Sequence, residues 1–531
     1  MGSQTETSIG SELMELQSPS KVTLRDPFNR SSRVSLEPSR HSINTLDAEA
    51  SIQAQSTKIS SYWTFLTIFT PSFVGFIASV TNGIITVGLP VIARSISLER
   101  SLYLWPSSVY GLTSSAALLI AGSVADIVGA RPVELLGIVL LGLFSLACGF
   151  AQTGAQLVTF RALQGIALAM HLPASVAIIT SAVPSGRARN LGFACLGFSQ
   201  PLGFAVGLVL SGVMIERAGW RSGFFLSGGL TLVVAIAAVC TLPKLKPKQD
   251  DSAMTIIKKV GREIDWIGGI ISSGGLAILA CILAILSADL SSIHSAETAS
   301  LLTISIILFL AFPAWMHYRE RTNKPALVPN KIWKNMPFAS TCIMVALSYG
   351  VMNSIELFSS LYFQEVQHAS TLTTSLYLLP NLSAGVVINI IVAFFVHRVP
   401  ARWLVAGSAM ICALSPMLMA VINPSWSYWY LAFWAQIFAP FSADVLFTVG
   451  LIIVSDNFPE ETQALAGAVF NTVAQFGMSI GMGSCQVVAL GIQDKEGGRA
   501  SYWLMFSYML VCGVIAIVGL RKAGMVGLKR E

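Results

Sequence analysis

The sequence predicts an all-α integral membrane protein with fourteen transmembrane helices, arranged as two six-helix bundles plus two inserted helices. Three observations carry this. Of 531 residues, 54% are hydrophobic and 11% charged, against roughly 25% charged in soluble domains. Such a chain has too little polar surface to face water on every side. The apolar residues gather into fourteen runs of about 20 residues, the length a helix needs to cross a bilayer. The runs are apolar all round, without the alternation of a barrel strand, and lipid then leaves the helix as the spanning form. The third observation is charge asymmetry. Arg131, Arg187, Arg189, Lys244, Lys246, Lys248, Lys258, Lys259, Arg262, Arg319, Arg321, Lys324, Lys331, Lys334, Arg398 and Arg402 fall in connections on one side, and only Arg94, Arg100, Arg217, Arg221, Lys495 and Arg499 on the other. An even number of spans and the positive-inside bias together predict a multi-pass protein of the cell membrane with both termini cytosolic.

Taken in order, residues 1–60 are rich in Ser, Thr, Arg and Glu and are expected to be a disordered cytosolic tail. The Asn29-Arg30-Ser31 triplet would then go unglycosylated. The first apolar run starts near Trp63, too late for a cleavable signal peptide, so the first span is expected to act as its own anchor. Six runs centred in 63–93, 104–126, 132–152, 156–180, 188–213 and 222–242 make an N-terminal bundle over 61–242. A charged cytosolic linker, 243–264, carries Pro243 and Pro247. The runs in 265–287 and 300–317 then read as an insertion over 265–320. A C-terminal bundle over 321–521 follows, with runs in 337–361, 373–396, 402–422, 427–454, 464–490 and 501–521, and 522–531 is a cytosolic tail. Gly192 and Gln200 in span 5 are spaced like Gly467 and Gln475 in span 13. Repeated halves with polar residues at midplane point to a transporter.

The stretch GSVADIVGARPVELLG joins spans 2 and 3 and holds Gly122, Asp126, Gly129, Arg131, Pro132 and Gly137. Its glycines permit a tight turn and close helix approach, and its charges belong at a water-facing rim. Ionisable residues inside spans are expensive and mark function by default. They are Arg161 in RALQGIALAMHLP, Asp444 in APFSADVLF and Glu356 in span 9. A carboxylate held away from water can serve as a proton carrier. His171 is a further titratable candidate, with hydrogen-bonded packing as its other reading. Asn82, Gln164, Gln200, Asn353, Asn381, Gln436, Asn471 and Gln475 could line a substrate cavity or bond neighbouring helices, with Trp434 and Phe438 as its aromatic wall. The eight cysteines lie in apolar runs without CxxC pairing, so no metal or disulfide is expected. There is no GxxxxGK[ST], HExxH or GxSxG motif, so neither ATP-driven transport nor hydrolytic chemistry is supported, and no cofactor is implied. Basic residues in short loops between spans do not make a nucleic-acid surface.

These residues resemble a known family. Gly122-Ser-Val-Ala-Asp126-Ile-Val-Gly129-Ala-Arg131 is similar to the loop between spans 2 and 3 of the major facilitator superfamily, and Arg161-Ala-Leu-Gln164-Gly165 to its span 4 motif. Gly219-Trp220-Arg221, Asp265-Trp266-Ile267-Gly268, Pro325 to Pro329 and Tyr362-Phe363-Gln364 resemble the fourteen-span drug:proton antiporters. Asp444, Ser455 to Pro459, Gln463 to Gly467 and Asn471-Thr472 resemble the fungal aminotriazole-resistance subgroup. The resemblance implies a major-facilitator-like fold working by alternating access, Asp126 facing the N-terminal end of span 13, and Arg161 in proton coupling. The chain departs from the family in having Thr81 where span 1 usually carries Asp, in keeping one Gly of the span 5 antiporter signature (Gln200-Pro201-Leu-Gly203), and in having Ile127 and Ala130 where the loop is usually basic. The expectation is a monomeric, proton-coupled efflux transporter for small organic molecules such as drugs, toxicants or fungal secondary metabolites. Uptake of a nutrient or siderophore on the same fold, and ligand sensing without transport, are the alternatives.

Overall fold

The computed structural model describes residues 61–524, except 99–101, 104, 184–186, 244–252, 289, 397, 459, 493–496 and 522. The N-terminal tail with its Asn29 triplet, the first part of the linker and the last residues lie outside the described set.

Every expected span is a helix. The first six are α1 (Ser61–Ser95), α2 (Trp105–Val128), α3 (Ala130–Phe150), α4 (Gly154–Ala182), α5 (Arg187–Ala218) and α6 (Trp220–Thr241). A shorter helix, α7 (Ala253–Glu263), stands in the linker, where the sequence reading placed only charged connection. The inserted pair is α8 (Trp266–Ala288) and α9 (Ala296–Arg321). The second half comprises α10 (Met336–Leu361), α11 (Thr371–Phe395), α12 (Ala401–Val421), α13 (Ala432–Phe438), α14 (Phe441–Asn457), α15 (Glu460–Gly491) and α16 (Gly497–Gly519). Fourteen of these segments are long and apolar enough to cross a membrane, α13 and α14 counting together as one. The span read as continuous over 427–454 is therefore broken at Ala439 and Pro440. Hydroxyls inside spans turn back on their own helix, as Thr67 does to Trp63 O (2.8 Å) and Ser72 to Ile68 O (2.8 Å), which satisfies them without a partner in lipid.

Lipid tails are as apolar as leucine, so helices associate through small residues that let backbones meet. In the first half α1 crosses α5 on glycines. A Cβ built at Gly207 would lie 2.6 Å from Val80 O, and one at Gly83 would lie 2.6 Å from Leu208 N. In the second half α10 crosses α15 in the same way, with Gly350 against Gly477 and Gly481. Each half thus has such a seam, and in the first half Gly165 of α4 meets Tyr110 O of α2 in the same way.

The inserted pair braces the line where the bundles adjoin. Ser273 of α8 donates to Ala116 O of α2 (2.8 Å), and Leu283 of α8 sits against Gly483 of α15. Asp265 caps α8 by accepting from Gly268 N (3.0 Å) and ties it to α9 through Trp315 Nε1 (2.9 Å). The cysteines make no disulfide among the described residues; Cys148, Cys342, Cys412, Cys485 and Cys512 are buried, whereas Cys240 and Cys281 are exposed on their spans.

Substituting the seam tests its weight. Gly207→Ala drives a methyl into the α1 backbone and is expected to cost about 1–3 kcal/mol, read as a lower melting temperature of the purified protein. Gly229→Ala in α6, which meets nothing within 4 Å, is expected to leave the melting temperature unchanged or raise it.

Candidate functional site

Between the two halves lies a central cavity of about 2310 Å³. One end is closed by bonds across the bundles. Gln364 Nε2 donates to Val87 O (2.8 Å), Ser479 Oγ to Ser108 O (2.9 Å) and Leu372 N to Glu216 Oε1 (3.1 Å). Toward the other end the lining includes Asp126, Gly129, Arg131, Ser181, Arg189 and Lys259, of which Asp126 and Ser181 are exposed. The cavity therefore opens at the end that carries the Gly129 loop.

That loop is built on glycine conformation. Gly129 has φ +103° and starts α3, while Gly219, with φ +80°, starts α6; both lie in the region that side chains disfavour. Two residues after each glycine stands an arginine, and the two are reciprocal. Arg131 Nη2 donates to Val239 O in the last turn of α6 (2.7 Å), and Arg221 Nη2 donates to Ala151 O at the end of α3 (3.0 Å). Each guanidinium thus caps the carbonyl end of the neighbouring antiparallel helix, where the helix dipole favours a cation. Gly122, Asp126, Gly129 and Arg131 all line the cavity, together with Gln463, Leu465 and Gly467 at the start of α15.

Arg161 is fully buried beyond the cavity wall. Its Nε donates to Pro106 O (2.8 Å), Nη1 to Gln164 Oε1 (2.8 Å) and Nη2 to Asn82 Oδ1 (2.7 Å), and its guanidinium lies 4.3 Å from the Tyr110 ring centroid. Thr81 Oγ1 lies 3.5 Å from both Nη1 and Gln164 Nε2. None of these partners is acidic, so carbonyl and amide dipoles and a ring face carry the charge. Threonine at position 81 leaves Arg161 without the carboxylate that the family pattern would place there.

Glu356 and Asp444 both line the cavity, as do Asn82, Gln200, Asn353, Asn381, Asn471 and Gln475. Glu356 Oε1 accepts from Asn381 Nδ2 (3.2 Å). Asp444 stands in the first turn of α14, just after the break, and a Cβ at Gly385 would lie 2.7 Å from its Oδ2. Discontinuous helices of this kind line solute sites in transporters. Three expected cavity residues are elsewhere. Gln164 is held by Arg161 at full burial. Gln436, also fully buried, donates to Ser359 Oγ (3.2 Å) inside the second bundle. His171 is fully buried with its Nδ1 2.9 Å from Glu134 Oε1. All three found partners on a neighbouring turn or helix, which removes them from the cavity. Trp434 is not part of the lining either, being 49% exposed on the outer surface; Phe438 is likewise absent from it, and the cavity aromatics are Tyr110, Phe193, Phe198, Phe204, Tyr349 and Phe447. Asn389 was missed, although Asn381, Gly385 and Asn389 recur every four residues and share one helix face on the cavity.

The Major Facilitator Superfamily profile matches residues 72–482, and the chain belongs to that family. It is a multi-pass membrane transporter of the class that carries small molecules, not an enzyme. A relative from Pyricularia oryzae named MFS-type transporter 1 is 35% identical over 519 residues, covering 87% of this chain and 84% of the relative. The aminotriazole resistance protein of Saccharomyces cerevisiae is 26% identical, covering 78% of this chain and 76% of its own. Among solved structures, a peptide transporter POT in complex with sulfate superposes with TM-score 0.64 at 17% identity, over 85% of this chain and 94% of that one, and so shares the fold.

The Arg161 network gives an ordered expectation. Arg161→Gln leaves Pro106 O and the amide oxygens of Gln164 and Asn82 without their donors, each buried loss costing about 1–3 kcal/mol. Arg161→Lys restores the charge but not the fork that spans them. Melting temperatures are expected in the order wild type, Lys, Gln, and three equal values would show that the network contributes nothing to stability.

Proposed function

We propose that this protein is a proton-coupled exporter of small organic molecules in the cell membrane, acting as a monomer by alternating access, with its basic rim and both termini cytosolic. The observation that carries the reading is that Glu356 and Asp444 line one cavity, closed at one end, between two six-helix bundles. A bare carboxylate there is costly once the cavity closes and dries. It must hold either a proton or a solute that donates to it. In the open state drawn here, cytosolic water can take the protons and leave both acids free to bind a solute. After the cavity reverses, protons from outside displace that solute, and the neutral acids permit the return. Each cycle then exports solute and admits protons.

The charge distribution supports a solute class. The acids Glu356 and Asp444 lie among amides and the rings of Tyr349 and Phe447, while the lining bases Arg131, Arg189 and Lys259 belong to the rim. Neutral or cationic amphipathic molecules suit that floor better than anions. Relatives named for resistance, such as the aminotriazole resistance protein, favour export over uptake. One chain supplies both bundles and the whole cavity, which supports a monomer.

Accumulation of a panel of toxic organic compounds in cells lacking or overexpressing the protein tests the reading. Overexpression is expected to lower accumulation of at least one compound. Asp444→Asn, a dissipated proton gradient, or an external pH raised to the internal value should each restore it toward the level of the deletion strain. Export that persists with the gradient collapsed would sink the coupling. The gating loop is tested by Arg131→Ala beside Arg221→Ala. Both remove one helix cap, and only Arg131 lines the cavity, so export is expected to fall steeply in Arg131→Ala alone while both variants reach the membrane. Equal export in the two would reduce the loop to a turn.

A further inference from the structure

We propose that Glu134 and His171 form a second proton-binding site, seated in the first bundle and reached from the central cavity through the gap at Gly75. The inference rests on the proton-coupled reading above. Glu134 stands in the second turn of α3 and His171 near the middle of α4, both with 0% side-chain exposure and 2.9 Å between Oε1 and Nδ1. The second oxygen, Oε2, and the second ring nitrogen, Nε2, are buried with no hydrogen-bond partner. Two titratable groups without further support at full burial are expensive to keep for packing alone.

The free nitrogen has a way out. A Cβ built at Gly75 of α1 would lie 3.7 Å from His171 Nε2 and 3.0 Å from Ser199 Oγ of α5. Gly75 itself lines the cavity. Gly75 thus belongs to the cavity lining and also stands next to the imidazole without a side chain of its own.

Gly75 of α1 and Ser199 of α5 stand on the Nε2 side, and Gly137 of α3 stands against the His171 backbone. Arg131, one turn before Glu134 on α3, is bonded to Val239 O, and Arg161 is the other basic side chain of α4. Arg161 stands ten residues along α4 from His171, roughly 15 Å away by helix rise, and is committed to its own partners. The pair can hold one shared proton, as imidazolium with carboxylate or imidazole with carboxylic acid, both of net charge zero. Release sends that proton to cavity water and leaves imidazole beside carboxylate at net charge −1. The first bundle thereby regains a proton carrier, which Thr81 in α1 does not supply.

Proton counting on the full-length, solute-free protein in lipid nanodiscs tests this. An indicator dye measures protons released per chain when the pH is stepped from about 5 to about 8, the range over which histidine changes charge. Glu134→Gln keeps a hydrogen-bond partner for Nδ1 and is expected to release one proton fewer than wild type. The double variant Glu134→Gln with His171→Gln should lose that same single proton. A Glu134→Gln count equal to wild type overturns the proposal. Gly75→Ala leaves the pair intact and needs no refolding around a lost charge. It is expected to release the wild-type number more slowly, because its methyl covers Nε2; release as fast as wild type overturns the route. A third variant, Glu356→Gln with Asp444→Asn, separates the two readings: if it releases as many protons as wild type, the cavity acids fail as carriers while the pair stands.

Discussion

Contact of bare backbone against bare backbone between helices of the same half is the constraint on which the rest of this protein depends. Without a hydrophobic drive between helices in lipid, the halves hold together where glycine lets two spans approach closer than any side chain permits. Gly83, Gly203 and Gly207 do this between α1 and α5, and Gly350, Gly477 and Gly481 between α10 and α15. The two seams occupy equivalent places in the two halves. They close the packing within each half, and the cavity lies between the halves.

Charge is treated in two ways. Where it serves construction, it sits at helix ends and is met by backbone. Arg131 and Arg221 cap each other's neighbouring helices, and Asp265 caps α8 while holding Trp315. Where charge lies inside the spans, its partners are incomplete or neutral. Arg161 has only carbonyls, amides and a ring, Glu356 has one amide, and Glu134 and His171 have each other. Groups of the second kind gain least stability from their surroundings and respond most to a proton or solute, which is the property a carrier needs.

Closure at one end and openness at the other follow from the same arrangement. The closing bonds from Gln364, Ser479 and Leu372 join the two bundles at one end of the cavity. The inserted α8 and α9 brace the α2 and α15 side of that line through Ser273 and Leu283. They leave the α5 and α11 side unbraced, where Gly212 meets Leu372 and Ser375.

The sequence by itself determined the fourteen spans, the helical class, the glycine turn before Arg131 and the acids Asp444 and Glu356, because a bilayer forces each of these locally. Twenty apolar residues must be a helix in lipid, and an intramembrane acid is conspicuous wherever it falls. Tertiary structure alone decided which polar residues face the cavity. Gln164, Gln436 and His171 looked like lining and are buried pairs, since an amide or imidazole takes the first partner that the packing offers. Glu134 went unnoticed because it stands near a span end, where a carboxylate is ordinary, and only the meeting of α3 with α4 puts a histidine 37 residues away against it. The break at Ala439 and Pro440 escaped a hydropathy reading for a related reason: both halves of that span are equally apolar, and only contact with Gly385 on α11 brings Asp444 to the cavity wall.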